Sequence, residues 1–134
     1  MTIMSEDGIV LADVGNSEYW LCFYSTIITK LDSIKDQIPL AIKLLENGTC
    51  EAANCIETAR QLNLIRDNLS RLATSELVCD YKDPNNKKHK LPEISPIVTS
   101  CGNFFSTADG KDLIFEINSI LCYAAIKKIS VIAQ

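Results

Sequence analysis

Histidine is nearly missing from this 134-residue sequence: His89 stands alone, inside the lysine-rich run Lys87-Lys88-His89-Lys90. Without a second imidazole there is no histidine to pair with a cysteine nucleophile at another place, and the positive charge around His89 disfavours its protonation without orienting it as a base. CxxC pairs are missing too. Structural zinc recruits Cys or His at gaps of about two to four residues from separate turns. The six cysteines, Cys22, Cys50, Cys55, Cys79, Cys101 and Cys122, do not offer that spacing. Cys50 and Cys55, five apart, are expected on one helix and pointing partly away from each other. No run of about 18 apolar residues exists to span a bilayer. Residues 1–7 hold two acids and no basic residue, which excludes the positive start of an export signal. The expectation is therefore a cytoplasmic protein whose cysteines are reduced and behave as small buried hydrophobes. No internal repeat is present.

What the chain does have is an ordinary globular composition, 47% hydrophobic and 22% charged, which argues against disorder. Its length suits one domain spanning residues 1–134, with roughly two-thirds of the unfolded surface buried on folding. The formal net charge of −4 and sequence pI of about 4.9 have the wrong sign for broad binding to nucleic acid or anionic lipid. A basic protein partner suits such a surface.

Residues 8–14, GIVLADV, read as a strand closed by Gly15-Asn16, with Ser17 capping the helix that follows. Trp20, Tyr24, Ile27, Ile28 and Leu31 recur at spacings of three and four and define one face of that helix. A second helix is expected from about Asp36 or Gln37, with Pro39 in its first turn and Asn47-Gly48 as its stop. Thr49 then reads as the N-cap of the longest helix. Its stripe includes Ala52, Cys55, Ile56, Ala59, Leu62, Ile65, Leu69 and Leu72 on a helix of about 23 residues, about 34 Å at 1.5 Å per residue. Residues 77–81, LVCDY, follow as a strand candidate. Residues 82–106 lack periodicity and hold three of the four prolines, as befits a functional or mobile loop. Asp109, with Asp112 three residues on, reads as the cap of a last helix bearing Leu113, Ile117, Ile120, Leu121 and Ala124. Residues 129–133, ISVIA, close the chain as a strand. The fold class expected is α+β: a helix-rich single domain with a small sheet packed against about four helices.

The segment around Gly102 and Gly110-Lys111 invites comparison with a phosphate-binding loop, which needs four residues between its first glycine and the Gly-Lys, then Ser or Thr. Seven residues intervene here, and Asp112 follows. A carboxylate at that place repels phosphate, so a turn leading into a capped helix is the favoured reading, and no cofactor is expected. Two pairs of acids remain: Glu46 with Glu51 around the Asn47-Gly48 turn, and Asp80 with Asp83 beyond the strand candidate. They suit steering of a cationic partner, and they also suit a solvated face. The basic run at Lys87, Lys88, His89 and Lys90 has no interleaved aromatics, which favours a solvated loop over a nucleic-acid contact.

One segment goes further. EISPIVTSCGNFFSTADGKDLIFEI, residues 93–117, resembles the C-terminal signature of the bacterial immunity-protein family catalogued as number seventy, found in polymorphic toxin and contact-dependent inhibition systems. The agreement is carried by Ile94-Ser95-Pro96, Thr99-Ser100, Asn103-Phe104-Phe105 and residues 107–113, which include Asp109, Gly110 and Asp112. Residues 23–32, FYSTIITKLD, are similar to the family's aromatic-Ser-Thr-Ile helix. The lysine-rich NNKKHK departs from the shorter, often tryptophan-bearing approach of the family, which makes this loop a candidate variable element. The resemblance implies inhibition of a toxin by stoichiometric binding, with no catalytic residue and no metal. Partner contacts are then expected at Glu46, Glu51, Asp80, Asp83 and the Lys87–Lys90 run, while the signature seats the last helix and its two phenylalanines anchor the loop to the core. Two alternatives stay open on the residues alone: a small nucleotide-binding protein or enzyme using the Gly102 to Asp112 loop, and a self-associating structural subunit.

Overall fold

The structure is a computed structural model that describes residues 1–84 and 96–134. In chain order it runs β1 (Thr2–Ser5), β2 (Leu11–Asp13), α1 (Ser17–Lys30), α2 (Pro39–Asn47), β3 (Thr49–Cys50), α3 (Cys55–Leu69), α4 (Leu113–Lys127) and β4 (Val131–Ala133). Short 3-10 turns at Asp32–Gln37, Ala52–Asn54 and Thr74–Glu76 join them. The strands form one antiparallel sheet in the order β2-β1-β4-β3. The class is α+β, as expected.

Alternation decides which face of the sheet meets the helices. In β1, Ile3 and Ser5 are fully buried while Thr2 and Met4 are half-buried, the period of two that a half-covered strand requires. β4 lies between β1 and β3, with Ile3 opposite Ala133 and Thr49 opposite Ile132. α4 packs on β1 and α3 packs on α4, so the core sits between the sheet and the helices. Ile27, Leu62, Ile65, Leu69, Leu113, Ile117, Ile120 and Leu121 fill it.

Several sequence expectations shift here. The first strand is a hairpin: Leu11–Asp13 pairs with Thr2–Ser5, and Gly8 lies in the intervening turn. The first helix is capped by Asn16 rather than Ser17, since the Asn16 Oδ1 accepts the Tyr19 N–H at 2.8 Å. The helix stop at Gly48 holds, and Pro39 occupies the first position of α2. Thr49 is not a cap. The Gly48 carbonyl accepts the Ala133 N–H at 2.7 Å and Thr49–Cys50 pairs with β4, so tertiary pairing overrides a favourable local cap. The longest expected helix therefore shortens to Cys55–Leu69, 15 residues spanning about 22 Å. At its C-terminal end the 96–106 segment crosses closely: a Cβ on Gly102 would stand 2.8 Å from the Ser70 Cα, and Cys101 N–H donates to the Leu72 carbonyl at 2.9 Å. The helix ends where that segment docks.

Residues 77–81 are not a strand either, although Leu77, Val78 and Cys79 are buried as a strand core would be. Their backbone partners are hydroxyls of α1. Thr26 Oγ1 accepts the Val78 N–H at 3.0 Å and Ser25 Oγ accepts the Tyr81 N–H at 2.9 Å, which explains why two hydroxyl side chains of α1 are fully buried.

Candidate partner-binding cleft

The cleft is built from α1 outward. Residues 17, 20, 21 and 24 fall on one side of α1 because spacings of three and four share a helical face, and together with Glu18 they form one wall. The last turn of α2 supplies Leu45 and Glu46, and Tyr81 closes the third side, leaving an open cleft of about 710 Å³. Tyr81 is held in place by the Ser25 hydroxyl, and its ring meets that of Tyr24 edge to face, centroids 5.6 Å apart at 89°. The Tyr24 hydroxyl donates to Glu46 Oε1 at 2.8 Å. Desolvation, and then the Glu46 carboxylate, push the Tyr24 phenol up to about 12, so the hydroxyl stays a donor across the physiological range. Lys82 places its ammonium 5.8 Å from the Tyr81 centroid, inside cation–π range.

The orientation of α2, and hence of Glu46, is set from α3. Ile38 gives α2 no side-chain cap; instead the buried Gln61 Oε1 accepts the Leu40 and Ala41 N–H groups at 2.8 and 3.0 Å. At its other end α2 has no basic residue in the last turn, so the negative end of its dipole and the Glu46 charge add together at the cleft rim.

Of the acids singled out in the sequence, Glu46 alone lines the cleft. Asp80 and Asp83 belong to the turn that carries Tyr81: Asp80 Oδ1 accepts the Lys82 N–H at 2.9 Å and the Asp80 carbonyl accepts the Asp83 N–H at 3.1 Å. Glu51 is exposed away from the cleft, beside β3, where its carbonyl accepts the Asn54 N–H at 2.9 Å. Lys87, Lys88, His89, Lys90 and Ser95 lie outside the described residues. The sequence does not single out Trp20, Tyr24, Tyr81 and Gln61 as a group, because the first two read as core stripe, the third as the end of a strand and the last as one polar residue of a helix.

The signature segment forms a docked turn. Pro96 is exposed. Asn103 Oδ1 accepts the Thr99 and Ser100 N–H groups at 3.0 and 3.2 Å, and its amide donates to the Ile97 carbonyl at 3.1 Å. Phe104 and Phe105 are buried at 6% and 3% exposure, the latter edge-on to Phe23 with centroids 4.9 Å apart. The Tyr19 hydroxyl ties the segment to α1, accepting the Ser106 N–H at 2.7 Å and donating to the Phe104 carbonyl at 3.1 Å. The cap of α4 is Asp112, not Asp109: its Oδ1 accepts the Phe115 N–H at 2.8 Å and also pairs with Arg66. Asp109 instead accepts the Thr107 hydroxyl, a bond that holds its carboxyl below the usual range. A tight turn explains the exchange, because Thr107 N–H donates to the Lys111 carbonyl at 2.7 Å and Gly110 N–H to the Thr107 carbonyl at 2.9 Å. With those amides donated inward and two carboxylates beside them, the segment makes no cradle for phosphate.

The thiol geometry differs from expectation as well. Cys50 lies on β3 rather than on the helix of Cys55, and the two sulfurs stand 3.9 Å apart. Both are buried, and burial, reinforced by Cys50, pushes the Cys55 thiol up to about 12. Cys122 is exposed, whereas Cys22, Cys79 and Cys101 are buried. Among the described residues, no helix is long and apolar enough to cross a membrane.

An α+β fold with an aromatic and acidic cleft and a docked C-terminal signature is what the residues define. Over residues 6–132 the chain matches the family described as Immunity protein 70, and it belongs to that family. No curated protein and no solved structure matches it.

Proposed function

We propose that the chain is a cytoplasmic immunity protein that binds the C-terminal toxin domain of a contact-dependent inhibition or related polymorphic toxin. It acts by stoichiometric occlusion of the toxin's active site or of its access to substrate, and not as an enzyme. Membership of the Immunity protein 70 family along nearly the whole chain carries this reading. The charge supports a nuclease as the toxin: a protein with net charge −4 complements the basic groove such an enzyme presents to nucleic acid. The contact surface comprises Glu46 and the turn with Asp80 and Asp83, joined by Glu51 and the Lys87, Lys88, His89 and Lys90 run. A standard interface of about 1,600 Å² accommodates these groups.

The experiment is titration of the purified protein with the C-terminal domain of a large secreted protein found encoded beside its gene, followed by native mass spectrometry and by growth of cells expressing that domain. A tight equimolar complex with rescue of growth is expected; absence of both refutes the function. Within such a complex, Asp80→Asn with Asp83→Asn slows association and flattens its salt dependence, and unchanged kinetics remove that turn from the interface.

A further inference from the structure

We infer that the cleft between α1, the last turn of α2 and Tyr81 receives one cationic side chain of the bound protein, arginine in preference to lysine, with Glu46 as its counter-ion. The inference rests on the binding function proposed above and adds to it the chemistry and the place of recognition.

Three independent observations converge on a cation. Trp20, Leu21, Tyr24, Leu45 and Tyr81 give the walls aromatic and apolar surface beside Ser17 and a second acid, Glu18, and faces of such rings attract positive charge. Tyr81 shows this within the chain, where the Lys82 ammonium stands 5.8 Å from its centroid. Next, Glu46 is fixed on one oxygen by the Tyr24 hydroxyl at 2.8 Å and has no ion pair among the described residues, which leaves its other oxygen for an incoming donor. Finally, Glu46 breaks a local rule. It places negative charge at the C-terminal end of α2, where no basic residue of the last turn offsets it and where the helix dipole favours a cation. Violations of this kind concentrate at functional sites. A partner cation answers the carboxylate and the helix end together.

Arginine fits better than lysine for two reasons. Its planar guanidinium stacks on aromatic rings while its fork reaches a carboxylate, and it is less strongly hydrated than an ammonium. Charge complementarity selects a protein as its carrier, since an acidic chain steers a basic surface toward the cleft.

The test compares the C-terminal domain of a large secreted protein found encoded beside the gene against wild type, Glu46→Gln, Asp36→Asn and Lys82→Ala. The Glu46→Gln side chain retains an acceptor for the Tyr24 hydroxyl while losing the charge. The expected result is a loss of about tenfold or more in affinity for Glu46→Gln, mostly in the off-rate, against at most about twofold for Asp36→Asn, which removes the same charge at an exposed position outside the cleft and outside the proposed contact surface. Lys82→Ala leaves binding equal or tighter, because it removes an internal competitor for Tyr81. The thermal midpoint of Glu46→Gln stays equal or rises, which a purely structural Glu46 does not permit. Equal effects of Glu46→Gln and Asp36→Asn overturn the inference while leaving the binding function intact.

Should the domain not bind wild type at all, the proposed function fails, and the cleft is decided with N-acetyl-arginine methylamide. Shifts of the Trp20 indole and Tyr24 resonances that vanish in Glu46→Gln support the inference. Shifts no larger than those from N-acetyl-norleucine methylamide overturn it, and larger shifts from the lysine analogue overturn the preference for arginine.

Discussion

Gln61 is the hinge between stability and the cleft, and replacing it with leucine tests the connection. Its side chain is 3% exposed, and its Oε1 accepts the Leu40 and Ala41 N–H groups at 2.8 and 3.0 Å. Leucine conserves the volume and removes the acceptor, so the Ala41 N–H is left buried and unpaired while that of Leu40 is half-buried. Two net hydrogen bonds and the desolvation of the orphaned amides together cost about 2–4 kcal/mol. Typical domains have about 5–15 kcal/mol in total, and at roughly 2–4 °C per kcal/mol the midpoint falls by on the order of 10 °C. Urea unfolding followed by Trp20 fluorescence should show a lower midpoint at unchanged slope. Gln61→Glu keeps an acceptor and adds negative charge at the N-terminus of α2, so it recovers part of the loss despite the nearby Glu57 carboxylate, to which the Gln61 amide donates at 3.5 Å. Because α2 carries Glu46, the leucine variant also weakens partner binding at temperatures where it is still folded. A loss below about 0.5 kcal/mol, the scatter of an ordinary surface change, would refute the idea that Gln61 seats α2.

Three further outcomes follow from the buried hydroxyl, the buried thiols and the phenol. Thr26→Val orphans the Val78 N–H and should cost about 1–3 kcal/mol, whereas Thr26→Ser keeps the bond and costs about 1 kcal/mol for the missing methyl; equal losses for the two in urea unfolding contradict the hydrogen-bond account. A thiol reagent should label the native protein rapidly at Cys122 alone, since the other five cysteines are buried, with all six labelled in denaturant; rapid labelling at any other cysteine contradicts the packing. Stability should be level up to about pH 9 and decline above it. Burial raises Cys22 and Cys55 from 9.0 to about 12 and Cys101 to about 11, and it raises Tyr24 from 10.0 to about 12. Each of these neutral forms stabilises the fold fully below its ordinary value and loses that contribution as pH climbs to the folded one. An unfolding midpoint constant to pH 11 contradicts this.

What the sequence discloses about the fold is what short-range physics decides. The stripe Leu113, Ile117, Ile120, Leu121 and Ala124 is buried along α4 as its spacing requires, and Pro39 and Gly48 bound α2 as their backbone preferences dictate. Misreadings arise where a distant partner outbids a local signal. Thr49 is a good cap, yet β4 claims it as a strand. LVCDY has the composition of a strand, yet Ser25 and Thr26 of α1 take its amides, and neither pairing leaves a mark in periodicity. Asp109 and Asp112 both look like caps, and the tight turn at Thr107 to Lys111 assigns one to each task. The cleft is legible only in fragments: Glu46 stands out as an acid, but its meeting with Tyr24 and Tyr81 depends on segments 22 and 35 residues away in the chain.

Gly48 joins two parts of the molecule in a single residue. Its N–H closes α2 on the Leu44 carbonyl at 2.9 Å, its carbonyl receives Ala133 at 2.7 Å, and with φ of +72° a side chain there would also drive a Cβ to 2.8 Å from the Ala133 oxygen. The rim that presents Glu46 is thus fastened to the centre of the sheet two residues further on, with no slack for insertion or deletion. Divergence among partners at this rim therefore has one route open to it. On the binding proposed for the cleft, it proceeds by exchanging side chains on a backbone that stays put, so that a reversed charge at position 46 would mark a change of partner more directly than any change of loop length.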